Sequence, residues 1–126
     1  MIGFKKEYEK VLINSNYIYE KNNNSFSFVT DEEMGMVIQF LEESDMIFSK
    51  TLAVFDGENY IGPYMIFSDG EWIWPSYFLY YLAKQKRVNS DFLFHVRQKE
   101  YTITRLTDEQ RNKATSFLEK EMLNIV

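Results

Sequence analysis

The chain has 126 residues, 45% of them hydrophobic and 17% aromatic, and carries a formal net charge of -5. That length fits a single domain, residues 1–126, large enough to bury a core without staples, and the apolar content is too high for disorder. The negative charge argues against nucleic acid as a partner, since phosphates call for clustered Lys and Arg; the absence of Cys rules out disulfide and thiolate chemistry and fits a reducing compartment.

The elements follow in chain order. Phe4, Tyr8, Val11 and Leu12 have helical spacing, so residues 3–15 are expected to form an amphipathic helix ended by Asn14-Ser15-Asn16. No uninterrupted apolar run follows the first lysines, and no stretch is long enough to span a membrane. A cytoplasmic location without a membrane partner is the expectation. Tyr17-Ile18-Tyr19 and Phe26-Ser27-Phe28 read as short strands around the turn-prone Asn22-Asn23-Asn24, although the first also fits a last helical turn. Thr30-Asp31-Glu32-Glu33 is a capping box. It opens a helix whose inner face is Met34, Val37, Ile38 and Leu41 and which ends near Ser44.

The middle of the chain carries a repeated phrase. Asp56-Gly57-Glu58-Asn59-Tyr60-Ile61-Gly62-Pro63-Tyr64 returns thirteen residues later as Asp69-Gly70-Glu71-Trp72-Ile73-Trp74-Pro75-Ser76-Tyr77. Asp-Gly supplies the positive φ of a tight hairpin turn, and the aromatic, β-branched run after it reads as strand. Strands are therefore expected over Thr51–Phe55, Tyr60–Ser68 and Trp72–Trp74, joined as an antiparallel meander. Pro63 cannot donate to a ladder, so the middle strand should be bulged or paired on one side there. Its two faces, Tyr60, Gly62, Tyr64, Ile66 and Ile61, Met65, Phe67, are both apolar. That fits a sheet covered by helices on both sides, or one with part of a face left open for a partner; at least one of Trp72 and Trp74 is expected to be fully buried.

Ser76 is the expected N-cap of a helix carrying Phe78, Leu79, Tyr81 and Leu82, with Lys84, Lys86 and Arg87 at its last turn. Asn89-Ser90-Asp91 starts a further helix through Lys99. Tyr101 to Leu106 alternates like a strand. Thr107-Asp108-Glu109-Gln110 is a second capping box, before a helix burying Ala114, Phe117, Leu118, Met122 and Ile125. The class is α+β: an antiparallel sheet of four or five strands with a meander core, packed with four or five helices.

Candidate chemistry is sparse. His95 is the only histidine, with Asp91 one helical turn before it, a spacing that lets a carboxylate orient an imidazole. No nucleophile is marked, so a structural role is expected and no catalytic residue is assigned. The acids Asp56, Glu58, Asp69 and Glu71 lack the spaced oxygen ligands of a calcium loop, and turn chemistry explains them. Acids on turns are normally solvated, which also disfavours a glycosidase-type carboxylate pair. Gly57, Gly62 and Gly70 are too far apart for a phosphate loop. No metal or cofactor is expected. The aromatic cluster can serve as core or as anchors for a partner.

Asp69-Gly70-Glu71-Trp72-Ile73-Trp74-Pro75-Ser76, with Tyr80-Tyr81 and then Phe92, Phe94 and His95, resembles a DGxWxWPS element of small bacterial immunity-like proteins. The resemblance covers residues 61–97. It implies a non-enzymatic protein that neutralises a cognate toxin domain, a basic one given the acidic charge. The expected contacts are Asp56, Glu58, Tyr60, Tyr64, Asp69, Glu71, Trp72 and Tyr77. The alternative is a small ligand-binding domain or enzyme with an aromatic pocket around Trp72, Trp74, Tyr77 and His95; an adaptor subunit is a third reading.

Overall fold

The computed structural model describes residues 26–122. The helix expected over residues 3–15, the Tyr17–Tyr19 strand, the Asn22–Asn24 turn, the side chain of Met122, and Ile125 lie outside the described residues. The order is β1 (Phe26–Phe28), α1 (Asp31–Glu42), β2 (Asp45–Asp56), β3 (Asn59–Ser68), β4 (Ile73–Pro75), α2 (Tyr77–Gln85), β5 (Arg87–Asn89), α3 (Ser90–Gln98) and α4 (Asp108–Met122). This is the expected α+β class. Its strands divide into two antiparallel sheets, β2-β3-β4 and the two-stranded ribbon β1-β5.

The meander forms where the repeated phrase places it. Gly57 has φ 61° and Gly70 φ 101°, the positive values for which Asp-Gly is suited. β2 begins at Asp45, six residues before the expected start, and its pairing with β3 is broken by three register shifts. One falls between Lys50–Tyr64 and Ala53–Pro63, where the missing N–H of Pro63 weakens the ladder. The β3–β4 register begins only at Ile66–Pro75, so Pro63 is paired on the β2 side alone.

The sheet separates two apolar clusters. On one face Trp74, with Phe67 beside it, packs against Met34, Val37, Phe40 and Leu41 of α1, Phe78 and Leu82 of α2, Val88, and Phe92, Leu93 and Val96 of α3. On the other face Val54, Tyr64, Ile66 and Ile73 meet Tyr77 and, from α4, Ala114 and Leu118. The alternation of Ile73 and Trp74 between these clusters is the period-two signature of a strand. One residue departs from the expected parity. Ile61 packs with Tyr64 and Ile66 rather than opposite them, because the extra residue between Val54–Gly62 and Phe55–Tyr60 shifts the pleat.

The strand expected over Tyr101 to Leu106 does not form. Glu100 and Tyr101 have φ of 53° and 58°, left-handed values that turn the chain out of α3. The irregular segment then finds a side-chain partner instead of a ladder: the N–H of Leu106 donates to Asp45 Oδ2 at 2.8 Å. Ser76 does not cap α2 either. Its own backbone is already helical and its side chain makes no cap bond. Its hydroxyl donates to the carbonyl of Pro63 at 2.9 Å and accepts the N–H of Met65 at 3.1 Å. It thus serves β3 backbone groups that lie beyond the last β3–β4 pair, Ile66–Pro75.

Candidate functional site

The two copies of the repeated phrase have different fates. The first forms the tip of the β2–β3 hairpin. Phe55 and Tyr60 pair across the strands with ring centroids 5.6 Å apart, and they are 48% and 59% exposed. Glu58 is exposed at the turn. Asp56 is held from below by α2: the hydroxyl of Tyr80 donates to its Oδ2 at 3.0 Å, and Lys84 Nζ lies 3.4 Å from the same oxygen. Lys84 also stacks over the Tyr80 ring at 4.5 Å. Its ammonium is favoured above the ordinary lysine range, chiefly by hydrogen bonding with Tyr80 and then by Asp56. The tip is therefore braced while its aromatic and acidic apex faces solvent.

The second copy turns inward. Asp69 Oδ1 accepts the N–H groups of Glu71 and Trp72 at 2.9 and 2.8 Å, an Asx turn that closes the β3–β4 connection. Ser68 braces the same turn, its hydroxyl donating to the Trp72 carbonyl and accepting the N–H of Gly70. Asp69 Oδ2 lies 2.5 Å from His95 Nε2, and Glu71 Oε2 lies 2.9 Å from His95 Nδ1. The orienting carboxylates of His95 thus come from the turn, not from Asp91. Its ring sits among those of Phe40, Trp72 and Phe92, with centroids 6.3, 6.0 and 6.2 Å away. Helical spacing pointed to Asp91. The true partner lies 26 residues away, and no local pattern encodes it.

The expected contact residues separate accordingly. Glu58 and Tyr60 are exposed together at the first tip, and Asp56 sits beneath them. Tyr64 and Tyr77 are 1% and 0% exposed, so both are core residues with no surface to offer. The Asp69 carboxylate is 4% exposed and committed to the turn and to His95. Glu71 is open to solvent but lies on the other turn, paired with His95 and 3.9 Å from Lys99 Nζ. Trp72 is half-buried against Phe92 and His95. Trp74 is fully buried, which removes it from any pocket wall.

Beside His95 is an open groove of about 290 Å³ lined by Glu71, Phe94, His95, Gln98 and Lys99. A second, of about 310 Å³, runs between the β3–β4 turn and α4 past Ser68, Ile73, Lys113 and Phe117. Among the described residues no group of three or more His, Cys, Asp or Glu has the arrangement of a metal site. No helix among them is long and apolar enough to cross a membrane.

Two ion-pair clusters escaped the sequence reading. Glu33 was expected to reach back to its own helix cap. Thr30 does accept the Glu33 N–H at 3.0 Å, but the Glu33 carboxylate is taken by Arg97 in a two-pronged contact and by the hydroxyl of Tyr101. These bonds, Arg97 first, bring its pKa down to about 2. Asp45 is held below the usual carboxylate range by the Leu106 N–H first and then by Arg105, against the effect of burial. Comparison with protein-family models, with curated proteins and with solved structures gives no match.

Proposed function

We propose that this chain is a non-enzymatic bacterial immunity protein that binds and neutralises a cognate, basic toxin domain in the cytoplasm, using the tip of the β2–β3 hairpin. The observation that carries the reading is the Phe55–Tyr60 pair, exposed beside Glu58 on a turn that Tyr80 and Lys84 brace. Rigid aromatic anchors next to charge are what protein interfaces concentrate, and a braced tip loses little freedom on binding. The resemblance of residues 61–97 to immunity-like proteins supports the same reading. The aromatic-pocket alternative has less to draw on. Trp74 and Tyr77 are core residues, and Nε2 of His95 is taken by Asp69.

The test is a search of the adjacent gene for a secreted toxin domain, followed by protection and binding assays with that domain. The wild type should rescue cells expressing that domain, and its association should slow as salt rises, since steering acts through screened charge. Glu58→Lys and Tyr60→Ala should fold normally yet weaken rescue, Glu58→Lys mainly through a slower on-rate. Full rescue by the double variant would place recognition elsewhere on the surface.

A further inference from the structure

We propose that residues 102–122 form a releasable arm: the segment after Tyr101 and α4 undock from the sheet together while the rest of the described fold stays intact. The seat of α4 is shallow. Of its described side chains, Ala114 and Leu118 alone are buried, with Phe117 partly buried beside them, in a helix of 15 residues. By contrast α1 buries Met34, Val37, Phe40 and Leu41 within 12 residues, and α3 buries Phe92, Leu93 and Val96 within 9. The open groove of about 310 Å³ runs along the same seat, where Ile73 of the sheet faces Lys113, Ala114 and Phe117 of α4. Few buried apolar contacts mark an element that opens at less cost than global unfolding.

The arm has a pivot and a catch. Glu100 and Tyr101 turn the chain out of α3 with left-handed φ of 53° and 58°, two element-terminal residues of the kind that absorb a hinge rotation. The Tyr101 hydroxyl donates to Glu33, which ties the pivot to α1. Beyond the pivot, Ile103 is half-buried against the first cluster. The polar ties then run to the start of β2. Asp45 accepts the Leu106 N–H at 2.8 Å and the Arg105 guanidinium, and Arg111 of α4 lies 3.9 Å away. Arg111 Nη1 also donates to the Met46 carbonyl at 2.9 Å. One carboxylate therefore joins the irregular segment and the helix to the same point of the sheet, and its loss frees both. Undocking uncovers the apolar face of Val54, Tyr64, Ile66, Ile73 and Tyr77, whereas the Trp74 face keeps α1, α2 and α3. The arm thus gates access to a face that is closed in the docked state.

Native-state hydrogen exchange of the full-length protein in low urea reads the arm residue by residue. In the wild type, the Leu106 amide and the α4 amides from Ala114 to Leu118 should exchange through one shared opening. That exchange should be faster than in the core of β3 and depend more weakly on urea, because a partial opening exposes less surface. Asp45→Asn weakens the catch and should speed the Leu106 and α4 amides alike by about tenfold, the scale of one charge-assisted hydrogen bond. Leu118→Ala withdraws the anchor on the helix and should speed the distant Leu106 amide by the same factor as the α4 amides. Exchange of α4 with the same urea dependence as β3 would overturn the proposal. So would a Leu118→Ala variant in which α4 quickens and Leu106 does not.

Discussion

Arg97 grips Glu33 across 64 residues of sequence with two parallel hydrogen bonds, Nε to Oε2 at 2.9 Å and Nη2 to Oε1 at 2.7 Å. The fork matches guanidinium to carboxylate and ties the end of α3 to the first turn of α1. Since the Glu33 pKa falls from 4.5 to about 2, its contribution to stability is complete above the unfolded value and is lost as pH drops from about 4.5 towards 2. The Arg97 side chain is half exposed, which limits the size of the effect. Glu33→Gln should cost about 1 kcal/mol at neutral pH. Urea unfolding at pH 7 and at successively lower pH should show the variant and the wild type converging.

Trp74 is fully buried, yet its indole Nε1 has no hydrogen-bond partner among the described residues. Trp74→Ala should cost about 3–5 kcal/mol through the cavity it leaves. Trp74→Phe removes the orphaned donor along with some volume, and the two effects oppose each other, so its cost should stay under about 1.5 kcal/mol. Chemical denaturation of both variants gives the comparison. Equal losses would mean that the N–H is satisfied in solution.

Asp45 holds the segment that leaves α3 irregular. Its carboxylate accepts the Leu106 N–H and the Arg105 guanidinium, and Arg111 lies 3.9 Å away. Asp45→Ala should cost about 1–3 kcal/mol, because a buried acceptor is withdrawn from several donors. Its pKa is depressed, so this stabilisation is present above the ordinary carboxylate range and fades as pH falls below it. Hydrogen exchange at the Leu106 amide should accelerate in the variant well before global unfolding.

Ser76 separates two physical roles that look alike in sequence. If it served as a helix cap, Ser76→Ala would fray the start of α2. The observed bonds predict instead a loss of about 1 kcal/mol with faster exchange at the Met65 amide, whose acceptor disappears. Amide exchange read residue by residue distinguishes the two.

What was legible in the sequence was local. Asp-Gly at two places fixed both hairpin turns, and Pro63 marked the irregular pairing. Thr107 and Gln110 cap each other reciprocally at 3.0 and 3.1 Å, as their spacing predicts. Asn89 accepts the Phe92 N–H as the start of α3 requires. The period-two pattern of Ile73 and Trp74 also foretold apolar cover on both sides of the sheet. What failed was non-local. The spacing of Asp91 and His95 is a sound helical argument, but Asp69 lies nearer in space. Tyr101 to Leu106 alternates like a strand, but alternation says nothing of two left-handed residues before it or of an acid waiting on β2. The candidate contacts were half legible: the phrase singled out Glu58 and Tyr60, but nothing in it distinguishes the copy that faces water from the copy that faces His95.

The β1–β5 ribbon has a kinetic consequence. The β2–β3 and β3–β4 pairings each close a short loop, whereas the Ser27–Ser90 hydroxyl contact spans 63 residues and Phe26 pairs with Asn89. The entropy of closing so long a loop must be met before three ladder pairs give anything back. The meander is therefore expected to assemble first and to present its Trp74 face as the surface on which α1 and α3 settle. The ribbon then closes last and is the first pairing to reopen in the folded protein.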